Sequence, residues 1–172
     1  MMVLCALLGS AFLIGQSPTY SADSTSPNSI VLALYDTISG PAGQKRDWAR
    51  MRNLFEPGAT MLAVFGSANN KVAKRSLTVE DYIKVAGPNL EGNGWYEKEV
   101  ARRMEEFGAI ASAWSTYESR TKQGQEKPIA RGINCFQLSF DGTRWWIHSI
   151  IWQAEDPSLT LPAKYLKPGA KG

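Results

Sequence analysis

Apolar residues recur along this chain with two different periods, and the change of period separates a helical front from a strand-rich rear. Between Ile30 and Ile38 the apolar positions are 30, 31, 34 and 38, with Leu32 and Tyr35 widening the stripe. That spacing predicts an amphipathic helix, capped by Asn28 or Ser29 and ended by Gly40-Pro41. A second helix is predicted over Arg46 to Phe55, with Trp48, Met51, Leu54 and Phe55 on a common side and Pro57-Gly58 as its stop. Ala59 to Phe65 reads as a short strand, Gly66 to Asn70 as a turn, and Val72 to Ser76 as a return strand. Thr78-Val-Glu-Asp81 has the form of a capping box, in which each end residue satisfies a free amide of the other. The helix it opens carries Tyr82, Ile83, Val85 and Ala86 on its buried side and is expected to end at Gly87-Pro88.

The rear reads differently. Ser112 to Arg120, Gly132 to Phe140 and Trp145 to Glu155 are strand-like runs separated by the polar breaks Thr121–Pro128 and Asp141–Thr143. They predict successive antiparallel strands of a curved sheet, hence an α+β domain with helices against one sheet face. Trp95 to Phe107 fits two patterns. Tyr96, Val100, Met104 and Phe107 recur at helical spacing, yet Val100, Arg102 and Met104 also alternate with charged neighbours. Periodicity alone favours helix there.

The first residues are a different kind of sequence. Val3 to Ile14 carries no charge and is apolar apart from Gly9 and Ser10, and small or polar residues follow at Gly15, Ser17, Ser21 and Ala22. Residues 1–22 are therefore expected to be a signal peptide, too short to span a bilayer, although no Lys or Arg precedes the apolar run. Residues 23–28, rich in Ser, Thr and Pro, are expected to be a disordered lead-in, 29–166 a single domain, and 167–172 a flexible tail. The expected location is secreted or periplasmic, with no membrane insertion after cleavage.

All charged residues follow Ala22, and the net charge of +3 is dispersed, with no continuous basic face of the kind nucleic-acid binding needs. Cys5 lies in the leader and Cys135 within an apolar strand, which leaves no pair for a disulfide in the mature chain. A single histidine and the absence of paired acidic ligand motifs argue against a metal site. No phosphate loop, dinucleotide fingerprint or nucleophile elbow is present, and no cofactor is expected.

Several local runs, in order, resemble the nuclear-transport-factor-2-like superfamily, the cystatin-like cone, and its SnoaL-like bacterial members in particular. They are Leu34-Tyr-Asp-Thr-Ile-Ser39, Trp48 to Phe55, Ser115-Thr-Tyr-Glu-Ser-Arg120 with Arg131-Gly-Ile-Asn134, and Asp141 to Ile147 ending at Trp152-Gln153. The resemblance covers about Ser29 to Tyr165. It implies a cone-shaped, strongly curved, mixed or antiparallel sheet with the N-terminal helices on its concave face. It also implies that Trp95 to Phe107 is a long strand paired with Ile110 to Arg120 across Phe107-Gly108, and that the protein is a homodimer.

Relatives of that kind include isomerases, cyclases, dehydratases and binding domains, so the resemblance leaves function open. A carboxylate in an apolar pocket gains proton affinity and can abstract a proton beside a carbonyl, while a tyrosine stabilises the oxygen. The candidates for acid–base work are Asp36, Glu99 and His148. Each has an ordinary alternative: a solvated acid, a surface pair with Arg102 or Arg103, and a structural histidine. Strand alternation groups His148 with Trp146, Ile150 and Trp152. Tyr35, Trp48, Met51, Tyr82, Trp114, Tyr117, Asn134 and Trp152 are the expected pocket lining. Arg120 or Arg131 could clamp a carboxylate, or simply pair with Glu118 in a polar ladder. Six tryptophans favour an apolar or flat ligand. The first reading is a small-molecule-binding or accessory domain. The others are a cofactor-independent isomerase, cyclase or lyase, and a homodimeric interaction module.

Overall fold

A computed structural model describes residues 19–66 and 72–167. Residues 1–18 of the expected signal peptide, most of the turn at 66–70 and the tail beyond residue 167 lie outside the described residues, whereas Ser21–Ser24, at the end of that expected peptide, form a short 3-10 turn. Helix α1 spans Pro27–Ile38, α2 Trp48–Leu54 and α3 Val79–Asn93. Strands β1 (Phe55–Phe65), β2 (Ala73–Leu77), β3 (Tyr96–Phe107), β4 (Ile110–Arg120), β5 (Ala130–Phe140) and β6 (Trp145–Ala154) form one sheet in the order β2-β1-β6-β5-β4-β3. All neighbours are antiparallel except β1 and β6, which run parallel and make the sheet mixed. Among the described residues no helix is long and apolar enough to cross a membrane.

The start of α1 is set by Ser26 rather than Asn28 or Ser29. Its hydroxyl accepts from the Ser29 amide at 3.0 Å, the Ser29 hydroxyl accepts from the Ser26 amide at 2.9 Å, and Pro27 occupies the first helical turn. The lead-in before it is anchored, because Asp23 accepts a bidentate pair from Arg50 at 2.7 and 2.9 Å. The capping box at Thr78 and Asp81 opens α3 as its sequence indicates.

That helix continues to Asn93 through Gly87-Pro88, beyond its expected end. Gly87 is buried against Trp48, where a Cβ would lie 3.3 Å from the indole ring. The glycine lets α3 pack closely, and burial of Leu90 on the next turn offsets the hydrogen bond Pro88 cannot make. Arg46 then ties the helix ends together. Its buried guanidinium donates to the carbonyls of Ile38 (3.0 Å), Gly40 (2.7 Å), Gln44 (2.7 Å) and Leu90 (2.8 Å), serving the C-terminal end of α1 and the last turn of α3.

Trp95 to Phe107 is a strand over Tyr96–Phe107, paired with β4 across the Gly108 turn. The expected strongly curved cone is not what the chain forms. The sheet is open: its ladder ends at β2 on one edge and β3 on the other, these two strands do not pair, and it does not curl strongly. The helices explain this. α1 packs on β3 and β6 while α3 packs on β1 and β2, so helix rather than sheet fills the space between the edges. Bulges occur at isolated places in three strand pairs, without the repeated pattern that closure requires.

The core lies between the helices and one sheet face, built from Ile30, Val31, Leu34, Met51, Leu54, Phe136 and Ile147. The C-terminal segment covers part of the other face. There Tyr165 stacks on Trp114 with ring centroids 5.6 Å apart, and its carbonyl accepts from Thr116 Oγ1 at 2.6 Å.

Candidate functional site

Between the helices and the inner sheet face lies a cavity of about 420 Å³. Leu34, Ile38, Met61, Leu90 and Ile150 supply much of its wall, and Val85 and Ala86 of α3 close one side. Every strand of the sheet contributes, from Arg75 and Leu77 on β2 to Glu97 on β3. The volume falls in the range that holds a drug-sized molecule.

Among the described residues Glu97 is the one carboxylate in this wall. The β3–β4 register sets it opposite Ser119 and sets Glu99 opposite Tyr117, so both acids face inward. Val100 is an extra residue between Glu99 and Ala101, and this bulge brings Arg102 onto the same face as Glu99. Arg102 then takes Glu99 in a bidentate pair at 2.6 and 2.7 Å. Glu97 has no such partner. Its Oε2 accepts from Ser119 Oγ at 2.8 Å and Trp95 Nε1 at 3.1 Å, and its Oε1 accepts from Asn134 Nδ2 at 3.3 Å. Burial raises the proton affinity of Glu97 above the ordinary glutamate value, and the three hydrogen bonds oppose that shift without cancelling it.

A polar chain continues from Asn134. Its Nδ2 also donates to the Tyr35 hydroxyl at 3.0 Å, which lies 2.6 Å from Ser115 Oγ. Ser115 donates its single proton to Glu99 Oε1 at 2.5 Å, so Tyr35 is the donor toward Ser115. Tyr35 is thereby committed to the protein. Tyr82 and Tyr117 are not: both line the cavity, no hydrogen bond to either hydroxyl occurs among the described residues, and neither oxygen is sealed off as a buried unsatisfied group. Burial, with the charge of Glu97 as a second cause, pushes both hydroxyls further above the normal tyrosine range. The cavity thus presents one carboxylate and two free hydroxyls on an otherwise apolar wall.

The residues singled out from sequence fall into two groups. Tyr35, Met51, Tyr82, Tyr117, Asn134 and Trp152 line the cavity. Trp48 packs beside it, with its Nε1 donating to Glu91 at 3.0 Å. Trp114 sits on the opposite sheet face, against Tyr165. Asp36 lies outside, with its side chain 69% exposed and paired to Arg50. Glu99 is occupied by Arg102 and Ser115.

His148 is also on the outer face, with Nε2 2.6 Å from Ser139 Oγ. The register runs from Gln137↔Ser149 to Leu138↔Ile147, leaving His148 as an extra residue in β6. This bulge reverses the alternation, so Trp145 and Ile147 share the inner face with Ile150 and Trp152, and the grouping of His148 with those last two fails. Arg120 and Arg131 are held by Glu118 at 2.8 Å and Glu155 at 2.7 Å, away from this cavity. Glu97 itself was not among the sequence candidates. It shares strand parity with Glu99, and that was the available signal.

An open mixed sheet with three helices on one face defines an α+β architecture found in solved structures of low sequence identity. A cystatin-like-fold protein of unknown function from Nostoc punctiforme is 10% identical, with a TM-score of 0.54 over 79% of this chain and 97% of its own. One from Caulobacter vibrioides is 11% identical, TM-score 0.52, covering 76% and 88%. One from Methylobium petroleophilum is 17% identical, TM-score 0.51, covering 78% and 80%. The fold is therefore cystatin-like. No family model and no curated protein matches the sequence.

Proposed function

We propose that this protein binds a small, largely apolar molecule between its helices and sheet, and that Glu97, Tyr82 and Tyr117 hold the molecule's polar group. One observation carries the reading: a cavity of about 420 Å³ whose apolar wall contains, among the described residues, a single carboxylate with no cation beside it. Such a carboxylate is costly to bury without a cation, and a ligand donor adds a further hydrogen bond to its charged form. The cavity tryptophans Trp95 and Trp152 provide the test. Titration with dodecanol and with aromatic alcohols should change their fluorescence saturably, and Tyr82→Phe with Tyr117→Phe should weaken binding. A flat response across both alcohol classes would overturn the proposal.

A second reading has its own support. A buried carboxylate with raised proton affinity, coupled to two unpartnered tyrosine hydroxyls, has the parts for proton transfer beside a carbonyl. Glu97 would take the proton and Tyr82 or Tyr117 would hold the developing oxyanion; Asp36 and His148 have no place in such a step. Once a turned-over ketone is found, Glu97→Gln should retain binding and lose turnover. Unchanged kcat would exclude this role.

The apolar run of residues 3–14 supports export, and the row Trp114, Cys135 and Ile151 on the outer sheet face supports pairing with a second copy. Trp114 and Ile151 are 44% and 43% exposed. Sedimentation of the mature protein tests the pairing: a monomer at high micromolar concentration would refute it.

A further inference from the structure

The cavity has a second charged end. Among the described residues Arg75 is the only cation in its wall, on edge strand β2, whereas Glu97 is the only anion, on edge strand β3. Five strand spacings separate these edges, roughly 24 Å along a flat sheet, which twist and the reach of the two side chains shorten. Between them the wall is almost wholly apolar: Leu77, Met61, Ala63, Ile150 and Trp152 lead toward Tyr117 and Asn134. Arg75 is exposed at the mouth and takes part in no ion pair among the described residues. Asp81, an acid near enough to feel its charge, already accepts from Thr78 at 2.8 and 3.1 Å. Lys74, the neighbouring cation on β2, is not part of the wall.

Building on the apolar-ligand reading, we infer that the bound molecule is an elongated amphiphile with an anionic group, a carboxylate, at one end and a hydroxyl near the other. Its carboxylate pairs with Arg75 at the mouth, its chain crosses the sheet beneath α3, and its hydroxyl donates to Glu97. The polarity follows from the two ends. A carboxylate beside Glu97 would set two anions together in an apolar setting, and an ammonium at Arg75 would meet a like charge. An ω-hydroxy alkanoate has the matching order of groups.

The test uses ω-hydroxydodecanoate and ω-hydroxyhexadecanoate, dodecanoate, dodecanol and dodecyltrimethylammonium below their micellar concentrations, with cavity tryptophan fluorescence and calorimetry as readouts. The hydroxy acids should bind most tightly and the trimethylammonium most weakly. Arg75→Gln should weaken the carboxylates by roughly two- to fivefold, as expected for one exposed charge contact. It should leave dodecanol unchanged, and Lys74→Gln should leave every probe unchanged. The carboxylate advantage should shrink with added salt. Binding of dodecanol with no preference for carboxylates, or equal effects of Arg75→Gln and Lys74→Gln, would overturn this inference while leaving the apolar cavity standing. No binding of any probe would remove both.

Discussion

Replacing Tyr35 by Phe removes one oxygen and nothing else, which isolates the polar chain behind the cavity. That hydroxyl accepts from Asn134 at 3.0 Å and lies as donor 2.6 Å from Ser115, and Tyr35 and Ser115 are almost fully buried. After the substitution Ser115 still donates to Glu99 and Asn134 still donates to Glu97, but each loses one buried partner. Leaving a buried polar group unsatisfied costs about 1–3 kcal/mol, and both groups keep another bond here, so a total of about 2 kcal/mol is expected. For a domain of this size, that lowers Tm by roughly 4–8 °C. Urea unfolding of wild type and Tyr35→Phe measures it directly, with the midpoint falling and the slope unchanged. Ser115→Ala completes a double-mutant cycle, in which two members of one network should couple by at least about 0.5 kcal/mol. A Tyr35→Phe loss below about 0.5 kcal/mol, or strict additivity with Ser115→Ala, would refute the assigned network.

Other consequences are equally direct. Because the folded-state proton affinity of Glu97 is raised, its stabilising contribution is complete below the ordinary glutamate pKa and is lost as pH rises through the folded value. Wild type should therefore lose stability relative to Glu97→Gln across that window, by at most about 1.4 kcal/mol per pH unit; parallel pH profiles from urea midpoints would contradict this. Gly132→Ala should prevent stable folding or unfold at far lower urea, since its Cβ would fall 2.3 Å from the Gln153 carbonyl oxygen and 2.8 Å from Ala154 Cα. Arg46→Lys should cost about 2–4 kcal/mol, because one ammonium cannot reach the carbonyls of Ile38, Gly40 and Leu90 together. His148→Ala and Asp36→Ala, both on exposed surfaces outside the cavity, should leave probe binding unchanged.

The elements were largely legible because their signals are local. The Thr78–Asp81 box fixes the start of α3, and the polar breaks at Thr121–Pro128 and Asp141–Thr143 separate β4, β5 and β6. The sheet's openness was less legible, since it depends on where α1 and α3 pack. Pro88 misled for a related reason: a tertiary contact, Gly87 on Trp48, sustains a helix that local propensity would end. The site suffered most from two single-residue bulges. At His148 the bulge turns an apparently inward histidine outward, and at Val100 it hands Glu99 to Arg102. Glu97, two residues before Glu99, is left as the unpaired acid. No period in the sequence announces a bulge, and each one reverses the strand's facing.

Glu97, as a cavity carboxylate of raised proton affinity, should meet the ligand directly. Carbon-detected NMR of protein labelled at glutamate side chains, titrated with acid and then with dodecanol, tests this in one experiment. One carboxyl resonance, absent in Glu97→Gln, should titrate above the ordinary glutamate value of 4.5 and move on addition of dodecanol. If every glutamate titrated at or below that value and none responded to the alcohol, Glu97 would not be a ligand-facing carboxylate of raised proton affinity.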